Sequence, residues 1–327
     1  MLAFHSDHFV LPLPAGHPFP MGRYALLREG VRDALPQVRL VEAEPATDGE
    51  LALAHEPAWI QAVVDGTTSA AQQREIGFPW SEAMVRRARR SVGATIQAAR
   101  AALAGDGVAV NLAGGTHHAF AHKGSGYCVF NDVAVAARLM QAEHHRDRRQ
   151  RPGGVPAGLR VLVIDLDVHQ GNGTAAIFRD DPSVFTLSMH AARNFPMRKE
   201  AGDLDVELPD GCGDEPYLNA LDDALSQAVA RTAAHPAGLA FYLAGADPHE
   251  DDRLGRLKLS AAGLAERDRR VFAFLARSGT PVAVSMAGGY GRNLATTVAL
   301  QCRTVALSLK AWIAWTDARG VAPVSTC

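Results

Sequence analysis

Cysteine is scarce in this sequence, and neither sign of charge is in excess. The 327 residues include only Cys128, Cys212, Cys302 and Cys327, which lie far apart and form no CxxC pair. Such cysteines indicate neither a disulfide framework nor a zinc knuckle, and they fit a reducing compartment. With 33 basic and 35 acidic residues the formal net charge is -2, so we expect no specific binding to nucleic acid or to a membrane surface. The hydrophobic content of 47% excludes a disordered chain.

Long hydrophobic runs are also absent. The most apolar stretch, 297–316, is interrupted by Gln301, Arg303 and Lys310, so it does not predict a membrane span. The N-terminal residues lack the basic start and the continuous apolar run of a signal peptide. We therefore expect a soluble, cytoplasmic protein.

Short apolar runs alternate with longer amphipathic segments along the chain. Runs rich in Val, Leu and Ile lie at 108–112, 159–166, 183–188, 238–244 and 281–287, as expected of strands buried on both faces. Helical periodicity occurs at 22–34, 55–65, 81–104, 131–145, 214–234, 260–278 and 292–316, with Asn131, Asp214 and Ser260 as predicted N-caps. This alternation predicts an α/β fold, namely an open, mostly parallel β-sheet flanked by helices, as a single domain over residues 1–327.

Two charged segments stand outside the apolar pattern. The arginines of 81–104 that fall mostly off its apolar stripe are Arg86, Arg87, Arg89, Arg90 and Arg100. We interpret them as a solvated helix face, with an anion-binding patch as the alternative. Residues 143–158 are basic, rich in Pro and Gly, and without periodicity, which predicts a surface loop.

Residues suited to chemistry stand beside glycines at the ends of four predicted strands. They are His117 and His118 after the first run, Asp165, Asp167, His169 and Asn172 at the end of the second, Asp247 after the fourth and Tyr290 after the fifth. Open parallel sheets bind ligands at the carboxyl ends of their strands. We therefore expect these side chains to form one site.

Asp167, His169 and Asp247 are a candidate metal site. Asp167 and His169 are two residues apart, so their side chains point to the same side of an extended strand end. Two carboxylates and one imidazole leave a coordination position open, as in catalytic zinc sites, and iron(II) is an alternative metal. Gly171 and His249 stand where a two-metal site needs further carboxylates. One metal is thus favoured, and a capping and ion-pair cluster is the structural alternative.

The tandem histidines indicate proton transfer. A carboxylate partner holds a histidine toward its charged form, whereas a neutral amide leaves its pKa nearer to about 6.5. Asp165 is placed to orient one of the two rings, and Asn172 the other. Tyr290, on a Gly-Gly turn, either presents its hydroxyl to a developing oxyanion or packs at the turn.

The segments NLAGGTHHA, GSGYCVFNDVAVA, VIDLDVHQGNG, GADPHEDDRLG and AGGYG, in this order, resemble the zinc-dependent histone deacetylase family, which has the arginase–deacetylase fold. The resemblance extends from HPFPMGR near the N-terminus to about residue 300. DLDVHQGNG and DDRLGRLKLSAAGLAERDRRVF are most similar to class IV histone deacetylases and their bacterial relatives.

The resemblance implies roles for the histidines and the tyrosine. His118 would be the base for water and then the acid for the leaving amine, while His117 gives electrostatic support. Asp165 and Asn172 match the hydrogen-bond partners of these histidines, and Tyr290 matches the residue that polarises the substrate carbonyl.

The resemblance also implies three sets of ligand contacts. The zinc ligands would be Asp167, His169 and Asp247. The walls of the tunnel for the acyl-lysine stem would be Gly126, Tyr127, Phe195 and Gly289. A structural monovalent cation, potassium, would be held by Asp165, Asp167, His169, Ser188 and Met189, and a second cation would lie near Phe178, Asp181 and Val184.

The function implied is removal of acyl groups, either acetyl or longer fatty acyl, from the lysine ε-amine of proteins or peptides. One alternative is hydrolysis of an acetylpolyamine or another small acylated amine, which an acidic rim formed by Glu250, Asp251 and Asp252 would favour. Another is a non-catalytic module that recognises acyl-lysine. We expect His249, Glu250 and residues 190–202 at the rim, and the sequence leaves the oligomeric state open.

Overall fold

The structure, a computed structural model, describes residues 1–149 and 158–320. Its strands are β1 (Leu2–His5), β2 (Arg39–Glu42), β3 (Val108–Asn111), β4 (Val161–Asp165), β5 (Val184–Ala191), β6 (Leu204–Leu208), β7 (Leu239–Leu243) and β8 (Val282–Ser285). They form one sheet in the order β2-β1-β3-β8-β7-β4-β5-β6. Neighbouring strands are parallel throughout. The predicted parallel α/β sheet is therefore confirmed.

The strands that apolar runs reveal lie in the middle of the sheet. All residues of β3, β4, β7 and β8 are buried, because helices cover both faces there. Strands β1, β2 and β6 do not follow from the pattern of apolar runs. The edge strands β2 and β6 are largely half-buried or exposed, and β1 is only four residues long, so none of them presents a long apolar run.

The helices lie on both faces of the sheet. They are α1 (Arg23–Ala34), α2 (Asp48–Leu51), α3 (Pro57–Asp65), α4 (Ala70–Ile76), α5 (Glu82–Ala101), α6 (Asp132–Arg149), α7 (Asn172–Phe178), α8 (Asp214–Thr232), α9 (Ala261–Ser278) and α10 (Leu294–Ala318). Alternate residues of β4 enter different cores: Val161 and Val163 pack in the cluster that contains α5 and α6, and Leu162 and Ile164 in the one that contains α8, α9 and α10. No described helix is long and apolar enough to cross a membrane.

Two of the three predicted N-caps are confirmed. The side-chain oxygens of Asn131 and Ser260 accept hydrogen bonds from the backbone N–H groups of Ala134 and Gly263, at 2.9 and 3.0 Å. The prediction for Asp214 is wrong, because Asp214 is the first residue of α8. Its carboxylate instead accepts bonds from the backbone N–H and the hydroxyl of Ser260, at 2.8 and 2.6 Å, and so connects the starts of α8 and α9.

The segment 143–158 is only partly the loop that its composition predicts. Helix α6 continues through Arg149, so the prediction is wrong for the first part of the segment. Charged residues without an apolar stripe continue a helix already nucleated by its buried first turns. Residues 150–157 lie outside the described residues. Cys128, Cys212 and Cys302 are free thiols, and Cys327 also lies outside the described residues.

Candidate active site

Four consecutive strands of the sheet carry the candidate site residues. β3, β8, β7 and β4 are neighbours in this order, and their carboxyl ends are followed by His117 and His118, Tyr290, Asp247, and Asp167 with His169, respectively. All of these side chains are buried. The parallel arrangement thus brings together residues that are up to 173 positions apart in sequence, from His117 to Tyr290 (290 − 117), as predicted from the strand ends.

Asp167, His169 and Asp247 form a compact set of potential ligands. One donor atom of each lies within 4.8 Å of the others. His169 Nδ1 is 3.0 Å from Asp167 Oδ1 and 3.3 Å from Asp247 Oδ2. The backbone N–H of Gly288 donates to Asp167 Oδ2 at 2.7 Å, and that of Val168 donates to Asp247 Oδ1 at 3.0 Å. These backbone bonds fix the carboxylates in place.

The charges of this set suit a bound cation. Asp247 Oδ2 is buried and has no hydrogen-bond partner among the described residues. Burial, and then the neighbouring charge of Asp167, raise the pKa of Asp247 to about 7. Burial opposes ionisation of Asp167 too, but His117 and His169 outweigh it and lower the pKa of Asp167. A divalent cation satisfies the free oxygen and relieves the repulsion between the two carboxylates, so the residues fit the metal that the sequence predicts.

The structure shows which partner orients each histidine. His117 Nδ1 lies 2.6 Å from Asp165 Oδ2, and His118 Nδ1 lies 2.7 Å from Asn172 Oδ1. The two rings are 4.2 Å apart between centroids, and the His118 ring is 5.9 Å from that of His169. With an oxygen acceptor facing each Nδ1, both rings carry a proton there, so Nε2 is the nitrogen of a neutral His118 that can accept a proton.

The two histidines differ in their affinity for a proton. Burial disfavours charge on His117, but Asp165 and Asp167 outweigh it and raise the pKa of His117 to about 9, as its carboxylate partner predicts. Burial and the positive neighbours His117 and His169 lower the pKa of His118 well below its ordinary value. The amide partner therefore does not keep the pKa of His118 near the reference value, because it does not offset burial and these two positive neighbours.

Gly126, Tyr127 and Phe195 form a narrow passage beside His118. The Phe195 ring meets the His118 ring edge-on, with centroids 4.9 Å apart. Gly126 has a φ of 52°, and a Cβ there would lie 2.6 Å from His118 Cδ2 and 2.9 Å from Phe195 Cε1. A side chain at this position would fill the passage. Tyr127 and Tyr290 lie 6.0 Å apart between ring centroids on its other side.

The passage connects an outer opening to an inner cavity. The opening encloses about 440 Å³, and Arg193, Asn194, Phe195 and Met197 of the predicted rim segment line it. The inner cavity is about 70 Å³ and is lined by both histidines, Asp167, His169 and Tyr290. Five residues border both spaces: His118, Gly126, Tyr127, His169 and Tyr290. His118 and the candidate ligand His169 therefore lie where a chain entering from outside reaches the inner cavity.

The chain matches a known protein family in both sequence and structure. A sequence model of the histone deacetylase domain matches residues 17–305. This chain belongs to the histone deacetylase family. The family consists of hydrolases that act on acylated substrates, and its fold generally uses a catalytic metal.

Individual relatives agree with this assignment. The chain is 42% identical over 295 residues to an uncharacterised protein of Picosynechococcus, covering 90% of this chain and 93% of the relative. It is 36% identical to histone deacetylase 2 of Arabidopsis thaliana over 64% of this chain and 51% of that protein, so it matches about half the length of the plant protein. A crystal structure of a histone deacetylase homologue complexed with SAHA has a TM-score of 0.74 and 25% identity, covering 94% of this chain and 83% of the homologue.

The acidic run at residues 250–252 does not form an acidic rim. Asp252 is buried, and its carboxylate accepts hydrogen bonds from the backbone N–H groups of Leu254 and Tyr290, at 2.8 and 2.6 Å. Asp251 accepts one from the backbone N–H of Asn293 at 3.1 Å. Neither these residues nor His249 and Glu250 line the outer opening, so their predicted place at the rim is wrong.

Sequence reasoning missed two carboxylates that hold the site loops. Asp132 accepts hydrogen bonds from the backbone N–H of Gly115 and from the N–H and hydroxyl of Thr116, at 2.8–2.9 Å, and so fixes the loop that presents the tandem histidines. Asp252 does the same for the Tyr290 turn. Both residues lie in the family-like segments FNDVAVA and HEDDRLG, but periodicity alone assigns them to a helix start and an acidic run.

The residues expected at monovalent cations lie along β4 and β5. Asp165 and Ser188 are paired in register on these adjacent strands, with Asp167 and His169 just beyond β4 and Met189 next to Ser188. For the second expected site, the carbonyl oxygens of Phe178 and Asp181 accept backbone hydrogen bonds from Asp181 and Val184, respectively.

Proposed function

We propose that this protein is a metal-dependent deacylase that removes short acyl groups from the ε-amine of lysine in proteins or peptides. The observation that carries the proposal is the position of Asp167, His169 and Asp247 beside an oriented His118, where a narrow passage meets the inner cavity. A lysine stem in the passage would place its amide group at this junction. The non-catalytic alternative loses support because both histidines, Asp167, His169 and Tyr290 line one cavity, and Asp247 lies within reach of the same ion.

Asp167, His169 and Asp247 would hold one zinc ion. When bound there, zinc supplies Lewis acidity that favours attack of water on a carbonyl group, and iron(II) is the alternative with this donor set. We further propose that Asp165, Asp167, His169, Ser188 and Met189 hold a potassium ion, and that residues 1–327 form one catalytic domain.

His118 is suited to move the proton. Its lowered pKa keeps the ring neutral near pH 7, and its Nδ1 proton is directed to Asn172. Nε2 is therefore left as the base that takes a proton from the attacking water, and it then gives that proton to the leaving lysine nitrogen. His117, held charged by Asp165, favours the negative charge that develops on the substrate.

Tyr290 is suited to donate a hydrogen bond to the substrate carbonyl oxygen. Burial raises the pKa of Tyr290 well above its ordinary value, so its hydroxyl keeps its proton. A donor fixed in a buried site favours the oxyanion without reorganising. The bond from its backbone N–H to Asp252 fixes the position of this residue.

The outer opening favours a peptide over a polyamine. Its charged residues are Arg74, Glu75, Arg193 and Arg256. Glu75 is paired with Lys123 at 2.6 Å, and Arg256 with Asp210 at 3.0 Å. Three arginines and one glutamate line the opening. The positive electrostatic potential that results would repel a polycation. The small inner cavity also favours short acyl groups over fatty acyl chains.

The test compares kcat/KM of the zinc-loaded enzyme for an acetyl-lysyl peptide and for N-acetylspermidine. We expect the peptide to be preferred by at least about tenfold, with both activities lost on chelation and restored by zinc. A preference for N-acetylspermidine would contradict the choice of substrate. Hydrolysis that survives removal of the metal would contradict the proposed mechanism.

A further inference from the structure

Two buried arginines border the inner cavity. Arg23 begins α1 and is 3% exposed, and Arg87 lies in α5 and is 8% exposed. Both line the cavity that the candidate metal ligands Asp167 and His169 also line. Arg87 is among the arginines that the helical pattern assigns to a solvated face, and for this residue the prediction is wrong.

Neutral groups accept the hydrogen bonds that the Arg23 guanidinium donates. Its guanidinium donates to the carbonyl oxygens of Gly289 and Ala287, at 2.7 and 2.8 Å, and to the hydroxyl of Tyr24 at 2.8 Å. None of these partners is a carboxylate. Arg23 therefore keeps its positive charge beside the cavity while being fixed to the turn that carries Tyr290.

Each of the two arginines keeps one buried nitrogen without a hydrogen-bond partner among the described residues. In Arg23 this atom is Nε, and in Arg87 it is Nη1. Arg87 is the arginine of α5. Its guanidinium carbon lies 4.1 Å from the centre of the Tyr24 ring. Within residues 1–149 and 158–320, no carboxylate forms an ion pair with Arg87 or Arg23. Asp7, whose charge acts on Arg87 from further away, is held by Arg28 and His5, each at 2.8 Å.

The Tyr24 hydroxyl, which accepts a hydrogen bond from Arg23, lies in the field of both arginines. Burial opposes ionisation of Tyr24, yet Arg23 and Arg87 together lower the pKa of its hydroxyl. A buried charge without a counter-ion is unfavourable unless a ligand of opposite charge completes it. The planar guanidinium is well suited to a carboxylate.

The size of the cavity limits the ligand. A volume of about 70 Å³ holds roughly two or three groups of the size of a water molecule, at about 30 Å³ each. Beyond the carbonyl carbon, a succinyl group adds two methylenes and a carboxylate, which is a chain of this size. Octanoyl and longer chains exceed it. Apolar side chains such as Leu11 and Met84 line the same cavity and suit the methylene groups.

We propose that the enzyme prefers N-acyl-lysines whose short acyl chain ends in a carboxylate, such as succinyl-lysine, and that Arg87 binds this carboxylate. The inference rests on the proposed function and specifies its substrate class. Hydrolysis breaks the amide C–N bond and forms a C–O bond from water. One proton of the water passes to the amine nitrogen, and succinate is released without any change in oxidation state.

The test uses one peptide carrying acetyl-, butyryl- or succinyl-lysine with the zinc-loaded enzyme. We expect kcat/KM for succinyl to exceed that for butyryl by at least about tenfold, the size expected from one charge-assisted hydrogen bond. In Arg87→Gln we expect this ratio to fall to about 1 or below. The matched control is Arg86→Gln, because Arg86 is the exposed neighbour on the same helix, paired with Glu82; it should keep the wild-type ratio.

Binding to the wild-type enzyme tests the inference without a buried substitution. By calorimetry, succinate should bind the zinc-loaded protein at least about tenfold more tightly than butyrate, since both carry one carboxylate for the metal and only succinate carries a second. Equal affinities, or an Arg87→Gln enzyme that keeps the succinyl preference, would overturn the inference. Cleavage of acetyl- and butyryl-lysine but not succinyl-lysine would overturn the inference alone, whereas cleavage of none would contradict the proposed function as well.

Discussion

The inner cavity has two walls that bury charge in different ways. On one wall, strand ends present Asp167 and His169, and Asp247 lies close enough to share one ion with them. On the other, helices present Arg23 and Arg87, whose described neighbours include no paired carboxylate. The first wall needs a cation and the second an anion. The wall with the candidate metal ligands would therefore act on any amide substrate. The wall with the two arginines would select substrates by the group at the end of the acyl chain.

Replacing His118 should have the largest effect and should affect all acyl chains alike. Because one ring serves as both base and acid, we expect His118→Ala to lower kcat by about 10⁴ for acetyl-, butyryl- and succinyl-lysyl peptides. Zinc should remain bound, as measured by metal analysis of the purified variant. Activity near the wild-type level with the metal in place would remove His118 from the mechanism.

Paired and unpaired buried arginines should differ in their effect on stability. Arg267 is 1% exposed and donates to Asp268 at 2.9 Å and to the Gly245 carbonyl at 2.6 Å. Arg267→Met leaves a buried carboxylate without its cation and should lower the free energy of unfolding by about 3–5 kcal/mol. Arg87→Met loses mainly a cation–π contact and should lower it by less than about 2 kcal/mol. Denaturant unfolding measures both, and a larger loss for Arg87 would show that its charge is balanced after all.

Removing the Tyr290 hydroxyl should also slow the hydrolysis of every substrate. We expect Tyr290→Phe to lower kcat by about 10²–10³, the usual effect of one oxyanion donor. Tyr217→Phe is a matched control, because Tyr217 is a buried tyrosine of α8 that does not line the cavity. If Tyr290→Phe changes kcat by less than about threefold, packing at the turn is its only role.

His55 is buried as a neutral group, in contrast to the buried carboxylates and arginines of the cavity walls. Its Nδ1 donates to the Phe120 carbonyl at 3.0 Å, and its Nε2 accepts from the backbone N–H of Asn131 at 2.8 Å. Burial lowers its pKa to about 4, whereas the unfolded chain binds a proton near pH 6.5. Its contribution to stability is complete above the unfolded pKa and is lost as pH falls toward the folded pKa.

His55→Gln should therefore reduce the loss of stability between pH 7 and pH 5 by about 2 kcal/mol. Urea unfolding at the two pH values measures the difference. His122→Gln, at an exposed position, is the control and should behave as the wild type. An unchanged pH dependence in His55→Gln would mean that His55 does not account for the acid sensitivity.

The two walls also differ in how far the sequence predicts them. The central strands are continuous apolar runs, so His117, His118, Asp167, Asp247 and Tyr290 can be placed at strand ends without a structure. The wall that carries the candidate metal ligands can therefore be predicted from two things: the apolar runs, and the rule that parallel sheets bind ligands at the carboxyl ends of their strands.

Arg87 and Asp252 could not be placed in this way. Arg87 lies off the apolar stripe of α5, and only the arrangement of α5 against the cavity shows that this side of the helix is buried. By sequence, Asp252 belongs to an acidic run typical of a surface, but the turn at Tyr290 encloses it. Edge strands such as β2 are missed because half-exposed residues give no apolar run. The burial of Arg87 and Asp252 and the position of the edge strands depend on tertiary contacts, and the periodicity of the sequence gives no information about such contacts.

The most direct test of the central claim is a zinc titration of the metal-free protein, with hydrolysis of an acetyl-lysyl peptide followed on the same samples. Wild type should bind one zinc per chain, and activity should rise in proportion and level off at one equivalent. Asp247→Asn should bind zinc at least about tenfold more weakly and show a matching loss of activity. Hydrolysis by the metal-free protein, or unchanged zinc binding in Asp247→Asn, would contradict the account.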